Sequence, residues 1–184
     1  MDASRSLYIS TEHGLMRGDL NGALADLQSL GLERYGRVWS AVVDHRMPSR
    51  LYAGTTRGGV FRSDDAGATW VKKNEGLFYQ EVSCVMQHPA TGELYAGTRP
   101  ASIFKSSDYG ETWSNLDALH TLKEMHDWTF PNPPYFPHVK AIGLSAANPQ
   151  LILGAIEEGW LVRSTDGGAT WTNLRAGTEF DSHT

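Results

Sequence analysis

The chain has 184 residues, of which 40% are hydrophobic, and a formal net charge of −5. This balance is typical of a soluble chain with enough apolar material for a core, and the absence of a Lys/Arg stripe argues against nucleic acid as a partner. No apolar run approaches the length of a membrane span, and the first residues contain no apolar signal-peptide segment. We therefore expect no membrane association and a cytoplasmic location. The one cysteine, Cys84, excludes an internal disulfide and suggests a small buried strand residue.

Four similar segments follow one another along the chain. Each contains a phrase of the type Leu-Tyr-Ala-Gly-Thr and then a short apolar stretch that ends in Arg or Lys. The last three phrases are each preceded by another β-like segment and a turn rich in His, Pro or Asn. The phrases begin at Leu7, Leu51, Leu94 and Leu151, and the preceding β-like segments are 38–43, 82–86 and 139–144.

An octapeptide, Ser-x-Asp-x-Gly-x-Thr-Trp, follows the apolar stretch in the last three segments. Ser and Asp side chains accept hydrogen bonds from backbone N–H groups two residues on, and Gly supplies a residue with φ > 0. We therefore interpret the octapeptide as a structural hairpin turn after which Trp opens the next strand. Calcium binding is the weaker alternative, because the turn itself needs the carboxylate. The five fixed positions are Ser63, Asp65, Gly67, Thr69 and Trp70, then Ser106, Asp108, Gly110, Thr112 and Trp113, and finally Ser164, Asp166, Gly168, Thr170 and Trp171.

The repeat predicts an all-β fold, a β-propeller with four-stranded antiparallel blades. Each unit of about 43 residues has four short strands, which is the pattern of one blade. We expect one domain over residues 1–184, with units at about 7–35, 36–78, 79–117 and 138–177 and an inserted loop over 117–138. This division gives three whole blades and partial ones.

Two points of the architecture stay open from the sequence. Residues 20–32 form either a worn first blade, which the repeat register favours, or an amphipathic helix carrying Leu20, Leu24 and Leu27 on one face. The chain is either a piece of a larger propeller, with self-association through open blade edges as a consequence, or a four-bladed ring closed by residues 179–184. We favour the worn blade and the larger propeller.

The three octapeptides and their flanks resemble the BNR or Asp-box repeat family of sialidases, sortilin-type receptors and photosystem assembly factors. The chain looks closest to an uncharacterised bacterial branch, often labelled glycosyl hydrolase-like, whose long inter-blade loop carries an aromatic, proline-rich segment ending in His. In this chain that segment includes Trp128 and His138. The resemblance implies the propeller fold, and it implies a substrate site on the face away from the octapeptide turns.

Meander topology assigns the loops to two faces. The loop between the second and third strands of a blade shares a face with the connection to the next blade, and the octapeptide turns lie on the other face. The long 117–138 connection joins the blade of Arg99 to the blade of Glu157, so we expect all three on one face, with the loop as a wall of the site. The predicted ligand-binding residues are Arg57, Arg99, Trp128, Tyr135, His138 and Glu157.

Two functions fit these residues. The favoured one is a non-catalytic binding or scaffold propeller whose loop face takes a glycan, a peptide or another subunit. The alternative is a sialidase-like glycoside hydrolase, for which the weak catalytic candidates are Glu157, Asp127 and Tyr135. Glu158 is a poor partner for Glu157, because neighbours in a strand point to opposite sides. We expect no cofactor and no metal, since the spacing of His120, His126 and His138 matches no standard ligand pattern.

Overall fold

The computed structural model describes residues 6–19, 26–129 and 131–174, and these form four antiparallel sheets. The first sheet has three strands, β1 (Ser6–Thr11), β2 (Gly14–Asp19) and β3 (Gln28–Ser29). The second has four, β4 (Val38–Val43), β5 (Leu51–Thr55), β6 (Gly59–Ser63) and β7 (Val71–Lys72). The third has β8 (Glu81–Gln87), β9 (Leu94–Arg99), β10 (Ile103–Ser106) and β11 (Ser114–Asn115). The fourth has β12 (Val139–Leu144), β13 (Ile152–Ile156), β14 (Trp160–Ser164) and β15 (Thr172–Asn173).

Each four-stranded sheet is a meander, with its strands paired in chain order. The predicted all-β fold of four-stranded antiparallel sheets is therefore confirmed. The fourth strands are only two residues long and begin one residue after the octapeptide Trp. In the first sheet, β3 pairs with β2 where the helical alternative would place a helix, although residues 20–25 of that segment lie outside the described part of the chain. The predicted closing segment, 179–184, also lies outside it.

The long connection contains two short 3-10 helices, Asp117–Thr121 and Lys123–Asp127. Leu119, in the first, is fully buried between the third and fourth sheets. No helix in the described residues is long and apolar enough to cross a membrane.

The core consists of three apolar clusters, one in each gap between neighbouring sheets. Leu15 and Phe61 belong to the cluster of the first and second sheets, and Tyr52 and Phe104 to that of the second and third. Because the second and third sheets each have a neighbouring sheet on both faces, their strands β5 and β9 are buried along almost their whole length.

The Gly of the repeated phrase marks the place where neighbouring sheets come closest. A Cβ atom on Gly54 would lie 2.7 Å from Val82 Cγ1, and one on Gly97 would lie 2.7 Å from Val139 Cβ. In both cases the first strand of one sheet packs directly on the second strand of the sheet before it. Only a residue without a side chain fits there, which explains the Gly in the phrase.

The octapeptide turns share one hydrogen-bond network. In the second copy, Thr112 donates its backbone N–H to Asp108 Oδ1 (2.9 Å) and its hydroxyl to Asp108 Oδ2 (2.6 Å). Ser106 donates its hydroxyl to Asp108 Oδ1 (2.7 Å) and accepts a bond from the N–H of Gly110 (2.9 Å). The first and third copies make the same contacts. The predicted hairpin turn with Gly at positive φ is therefore present three times, but Asp accepts from the N–H group four residues on and not two.

These bonds lower the pKa of the turn carboxyls. The Thr hydroxyl, the Thr N–H and the Ser hydroxyl bring the pKa of Asp65 and of Asp166 to about 2. At Asp108 burial opposes the shift, but the bonds from Thr112 and Ser106 still lower the pKa.

The octapeptide Trp residues connect neighbouring sheets. Trp70 donates its ring N–H to Leu30 O (2.8 Å) of the preceding sheet region, and Trp113 donates to Lys73 O (2.9 Å) in the same way. Trp171 is buried as well, but its ring N–H has no such acceptor among the described residues. Each turn thus holds its own hairpin and, in the first two copies, also the sheet before it.

Gly97→Ala should destabilise the fold, because its methyl group would overlap Cys84 Sγ and Val139. We expect a loss of about 1–3 kcal/mol in the free energy of unfolding, measured by urea denaturation. Gly143→Ala is the matched control, since its new Cβ would meet Leu153 at an ordinary 3.4 Å. Equal stabilities of the two variants would contradict the close packing at Gly97.

Asp108→Ala should lower the free energy of unfolding at pH 7 by about 1–2 kcal/mol, because the turn loses its hydrogen bonds. A carboxyl with a lowered pKa stabilises the fold above its ordinary pKa of about 4 and loses that contribution as the pH falls. The difference between wild type and variant should therefore shrink as the pH falls below about 4.

Urea denaturation at pH 7, 4 and 2 measures this difference. Asp127→Ala is the control, because Asp127 is exposed and its carboxylate makes no hydrogen bond or ion pair with the described residues. A difference that stays constant down to pH 2 would show that the charge of Asp108 is irrelevant to the turn.

Candidate functional site

The loops lie on two faces, as the meander topology predicts. On one face, the turn after β13 lies on the connection from the preceding sheet, and Glu157 donates its N–H to His138 O (3.0 Å). On the other face, the octapeptide turn lies on the turn between the first two strands, and Ala66 donates its N–H to Ser49 O (2.7 Å). The connections between sheets therefore lie on the first face, and the octapeptide turns lie on the second.

A β-bulge occurs at the same place in all three four-stranded sheets. The pairing of the first and second strands shifts between Val38 and Ser40, between Val82 and Cys84, and between Val139 and Ala141. A bulge places two residues opposite one and turns the extra side chain away from its regular direction. The three extra residues are Trp39, Ser83 and Lys140.

These three residues line one cleft of about 460 Å³, which we call the bulge cleft. Its remaining walls come from the end of β9 and from the residues just before β12 and just after β13. The lining residues are Trp39, Ser83, Arg99, His138, Lys140 and Glu157.

The charges of the bulge cleft are paired. Arg99 Nη1 lies 3.2 Å from Glu81 Oε1, and Lys140 Nζ lies 2.6 Å from Glu157 Oε1. The second oxygen of Glu157 lies 2.9 Å from His138 Nδ1. Two cations and two carboxylates therefore balance each other around a central imidazole.

His138 is buried, with 7% of its surface exposed. Burial lowers its pKa, the positive charges of Arg99 and Lys140 lower it further, and Glu157 opposes them. The net direction is downward from the ordinary value, so the ring is neutral at pH 7. Arg99 Nη2 also lies 3.1 Å from His138 Nδ1. The imidazole thus links the guanidinium of one sheet to the carboxylate of the next.

Trp39 forms the apolar part of the bulge cleft. Its side chain is 40% exposed, and the guanidinium of Arg37 lies over the ring at 4.6 Å from the centroid. Arg37 is in turn held by an ion pair with Glu12 of the first sheet. This stack covers one face of the indole and fixes its orientation.

The structure brings together three of the six predicted ligand residues, Arg99, His138 and Glu157. It places Arg57 apart from them, exposed in the turn between β5 and β6. It places Tyr135 on the exposed part of the long loop, 58% exposed and outside the cleft lining.

Trp128 lies outside the bulge cleft, although its edge lines a separate hollow of about 210 Å³. It is only 6% exposed and belongs to the apolar cluster between the third and fourth sheets. Its ring lies over Gly159, where an added Cβ would approach Trp128 Cδ2 to 2.8 Å. A large apolar ring is more stable when it fills the space beside a residue without a side chain than when it faces solvent. This part of the loop therefore plugs the gap between two sheets.

The weak catalytic candidates do not meet in the structure. Asp127 lines a separate hollow of about 210 Å³ together with Glu158 and Trp160. Glu157 faces the bulge cleft instead, so the two neighbouring Glu residues open to different hollows, although they lie in the turn after β13 and not in a strand as the prediction assumed. The loop histidines also lie apart, because His120 Nε2 contacts Ser102 Oγ (2.9 Å) rather than His138.

Sequence reasoning missed Trp39, Ser83 and Lys140. All three lie inside predicted strands, where alternation assigns side chains to the two packed faces. One signal was present: each follows the first Val of its β-like segment at the same repeat position, and Lys140 is a charge in an otherwise apolar run.

Comparison with known proteins gives matches in structure only. No family model and no curated protein matches the sequence. The GH74 xyloglucanase from Xanthomonas campestris superposes with a TM-score of 0.72 at 18% identity, over 94% of this chain and 29% of that chain. The GH74 enzyme from Niastella koreensis has a TM-score of 0.63 at 18% identity, over 92% of this chain and 27% of that chain.

A third similar structure is YCF48 from Cyanidioschyzon merolae, with a TM-score of 0.51 at 21% identity, over 74% of this chain and 36% of that chain. The chain thus spans between 27% and 36% of the length of these three proteins. At such identities the likeness concerns the fold alone. Together with the four sheets, it shows that the chain is a β-propeller of four-stranded antiparallel blades, as the repeats predict.

Proposed function

We propose that this propeller is a non-catalytic binding protein whose bulge cleft takes a neutral saccharide. The observation that carries the proposal is the half-exposed indole of Trp39, oriented by Arg37 and standing beside a set of paired polar groups. A sugar ring has an apolar face and an edge of hydroxyl groups, and this cleft offers a complement to each.

The apolar face of the sugar stacks on Trp39. Trp39 lines the cleft and is 40% exposed, so its indole presents apolar surface to a ligand there. The ring needs no reorientation on binding, so little conformational entropy is lost there.

The hydroxyl edge meets groups that both donate and accept. Arg99 and Lys140 supply N–H donors, and Glu157 supplies carboxylate lone pairs. Each belongs to an ion pair, so a hydroxyl that bonds to one of them adds to an existing network.

The pairing of charges favours a neutral ligand. A charged ligand would compete with a partner already at 2.6–3.2 Å, and separating a partly buried ion pair is costly. A hydroxyl group can join both members of a pair without replacing either.

The ligand class agrees with the descriptions of two solved structures that share the fold. Both are GH74 proteins, one of which is described as a xyloglucanase. The three octapeptide turns likewise support assignment of the chain to the Asp-box repeat type, which is part of the same proposal.

The sialidase-like alternative needs several Arg residues converging on one carboxylate, with Tyr and acidic side chains beside them. Among the described residues, the cleft contributes Arg99 and Glu157 to such a set, whereas Arg57, Tyr135 and Asp127 lie elsewhere. The geometry therefore favours binding over this chemistry.

Trp39→Ala should weaken saccharide binding by about tenfold or more, because the stacking surface is lost. The measurement is a glycan array with the wild type, followed by calorimetric titration of the best neutral oligosaccharide. Trp39→Phe should keep part of the affinity, since a smaller aromatic ring remains.

Tyr135→Ala is the matched control, because it removes another exposed aromatic ring, which lies outside the cleft. A folded Trp39→Ala protein with wild-type affinity would move the site away from the bulge cleft. A wild type that binds peptides or protein partners but no glycan would show that the ligand class is wrong.

A further inference from the structure

One nitrogen of His138 lies between two partners with opposite demands. Nδ1 is 2.9 Å from a carboxylate oxygen of Glu157 and 3.1 Å from a guanidinium nitrogen of Arg99. The carboxylate only accepts hydrogen bonds, and the guanidinium only donates them.

A neutral imidazole nitrogen carries either a proton or a lone pair. With the proton on Nδ1, His138 donates to Glu157, and the N–H of Arg99 then faces another N–H. With the lone pair on Nδ1, Arg99 donates to His138, and the carboxylate then faces a lone pair. The two hydrogen-bond states exclude each other, so the neutral ring must choose between Arg99 and Glu157.

Protonation of the ring ends this competition for Nδ1. The imidazolium has an N–H on both nitrogens, so Nδ1 donates to Glu157 and no lone pair is left for Arg99. The guanidinium loses its hydrogen bond to Nδ1 and gains a repulsive charge beside it. Its ion pair with Glu81 in β8 remains.

The charged groups around the ring come from every strand that approaches it. They are Arg99 at the end of β9, Glu157 after β13, Lys140 in β12, and Glu81 in β8, which acts through Arg99. Two cations and two anions balance when His138 is neutral, and one positive charge is in excess when it is protonated. Burial and the two cations keep the pKa of His138 below its ordinary value, so this change occurs on acidification.

We infer that His138 is a positioning residue that changes the ligand preference of the bulge cleft with pH, from neutral saccharides to saccharides that carry an oxyanion. At a pH above the titration midpoint of His138, the charges of the cleft balance and Arg99 lies within hydrogen-bond distance of His138. Below it Arg99 no longer donates a hydrogen bond to His138, and the cleft has a net positive charge. The inference rests on the proposed saccharide function for its ligand, but the switch itself is a property of the unliganded protein.

The first experiment measures the switch without any ligand. Two-bond 1H–15N NMR spectra of the imidazole nitrogens report protonation and tautomer for each His across pH 4.5 to 8. His126, exposed in the same loop segment, supplies an internal reference resonance. The His138 midpoint should lie below the ordinary value of about 6.5.

Two substitutions should move that midpoint in opposite directions. Glu157→Gln removes the charge that favours the imidazolium, so the pKa of His138 should fall. Arg99→Gln removes a charge that opposes it, so the pKa should rise. If neither variant changes the titration of His138 in a folded protein, the ring is not coupled to its neighbours and the inference is wrong.

The second experiment uses sulfate as an oxyanion probe at constant ionic strength, followed on the side-chain N–H resonance of Arg99. For the doubly charged sulfate, an added positive charge about 5 Å away is worth about a sixteenfold gain in affinity in water without salt screening, and added salt reduces it. Sulfate affinity should rise as the pH falls and should follow the titration curve of His138. The exposed side chain of Arg57 serves as the reference for non-specific binding.

His138→Gln should abolish this pH dependence, because Gln cannot take up a proton yet still offers a donor and an acceptor. Wild type and His138→Gln with the same pH dependence would overturn the inference, as would sulfate binding that is equal at Arg99 and Arg57 at every pH.

A comparison of glucose with glucuronate separates the two proposals. The two sugars share a ring and differ in the carboxylate, so the preference for glucuronate should grow on acidification in the wild type alone. A sulfate response that follows His138, with no binding of either sugar, would support the switch and count against the saccharide function. A sulfate response that does not follow His138, with sugar binding intact, would support the saccharide function and count against the switch.

Discussion

The close contact between neighbouring blades is the constraint on which the other features depend. The first strand of a blade packs with a Val side chain on the Gly of the preceding blade, at Gly54 against Val82 and at Gly97 against Val139. The bulge follows that Val by one residue, so Ser83 and Lys140 are turned out of the packed layer while the Val stays in it. The contact that stabilises the blades and the residues that line the cleft are thus produced by the same short segment. A change that loosened the contact would also move the cleft side chains.

The face that carries the octapeptide turns also links neighbouring blades. Trp70 and Trp113 donate their ring N–H groups to the blade before their own, and Arg62 of the second blade forms an ion pair with Glu111 of the third. Exposed ion pairs of this kind contribute little individually, but the buried Trp bonds satisfy polar groups that would otherwise be costly to bury. Because the structural turns lie on this face, substitutions of exposed residues on the cleft face leave the hairpin turns intact.

The repeats allowed the strands and the distribution of loops over two faces to be predicted from the sequence. That is why Arg99 and Glu157, 58 positions apart in the chain, were expected on one face and are found in one cleft. Trp39 could not be found in this way, because a bulge depends on how two strands pair, and strand alternation alone assigns each residue to a packed face. Trp128 was misplaced for a different reason. From the sequence, an aromatic residue in a long loop fits a ligand site and an apolar core equally well. What places Trp128 in the core is the space that Gly159, on the next blade, leaves for its ring.

The two parts of the cleft differ in how closely they are tied to the stability of the fold. His138 and Glu157 are largely buried, and each satisfies a polar group of the other, so removing either leaves an uncompensated partner in a partly dry environment. Trp39 is half exposed and stands on Arg37, which itself reaches solvent. Its ring can therefore be replaced with little effect on packing, whereas the central groups can be changed safely only to residues that keep their hydrogen bonds. For this reason a loss of binding in a Trp39 variant can be assigned to the lost contact with the ligand. A loss of binding in a His138 variant is informative only together with a measurement of the protonation of the ring.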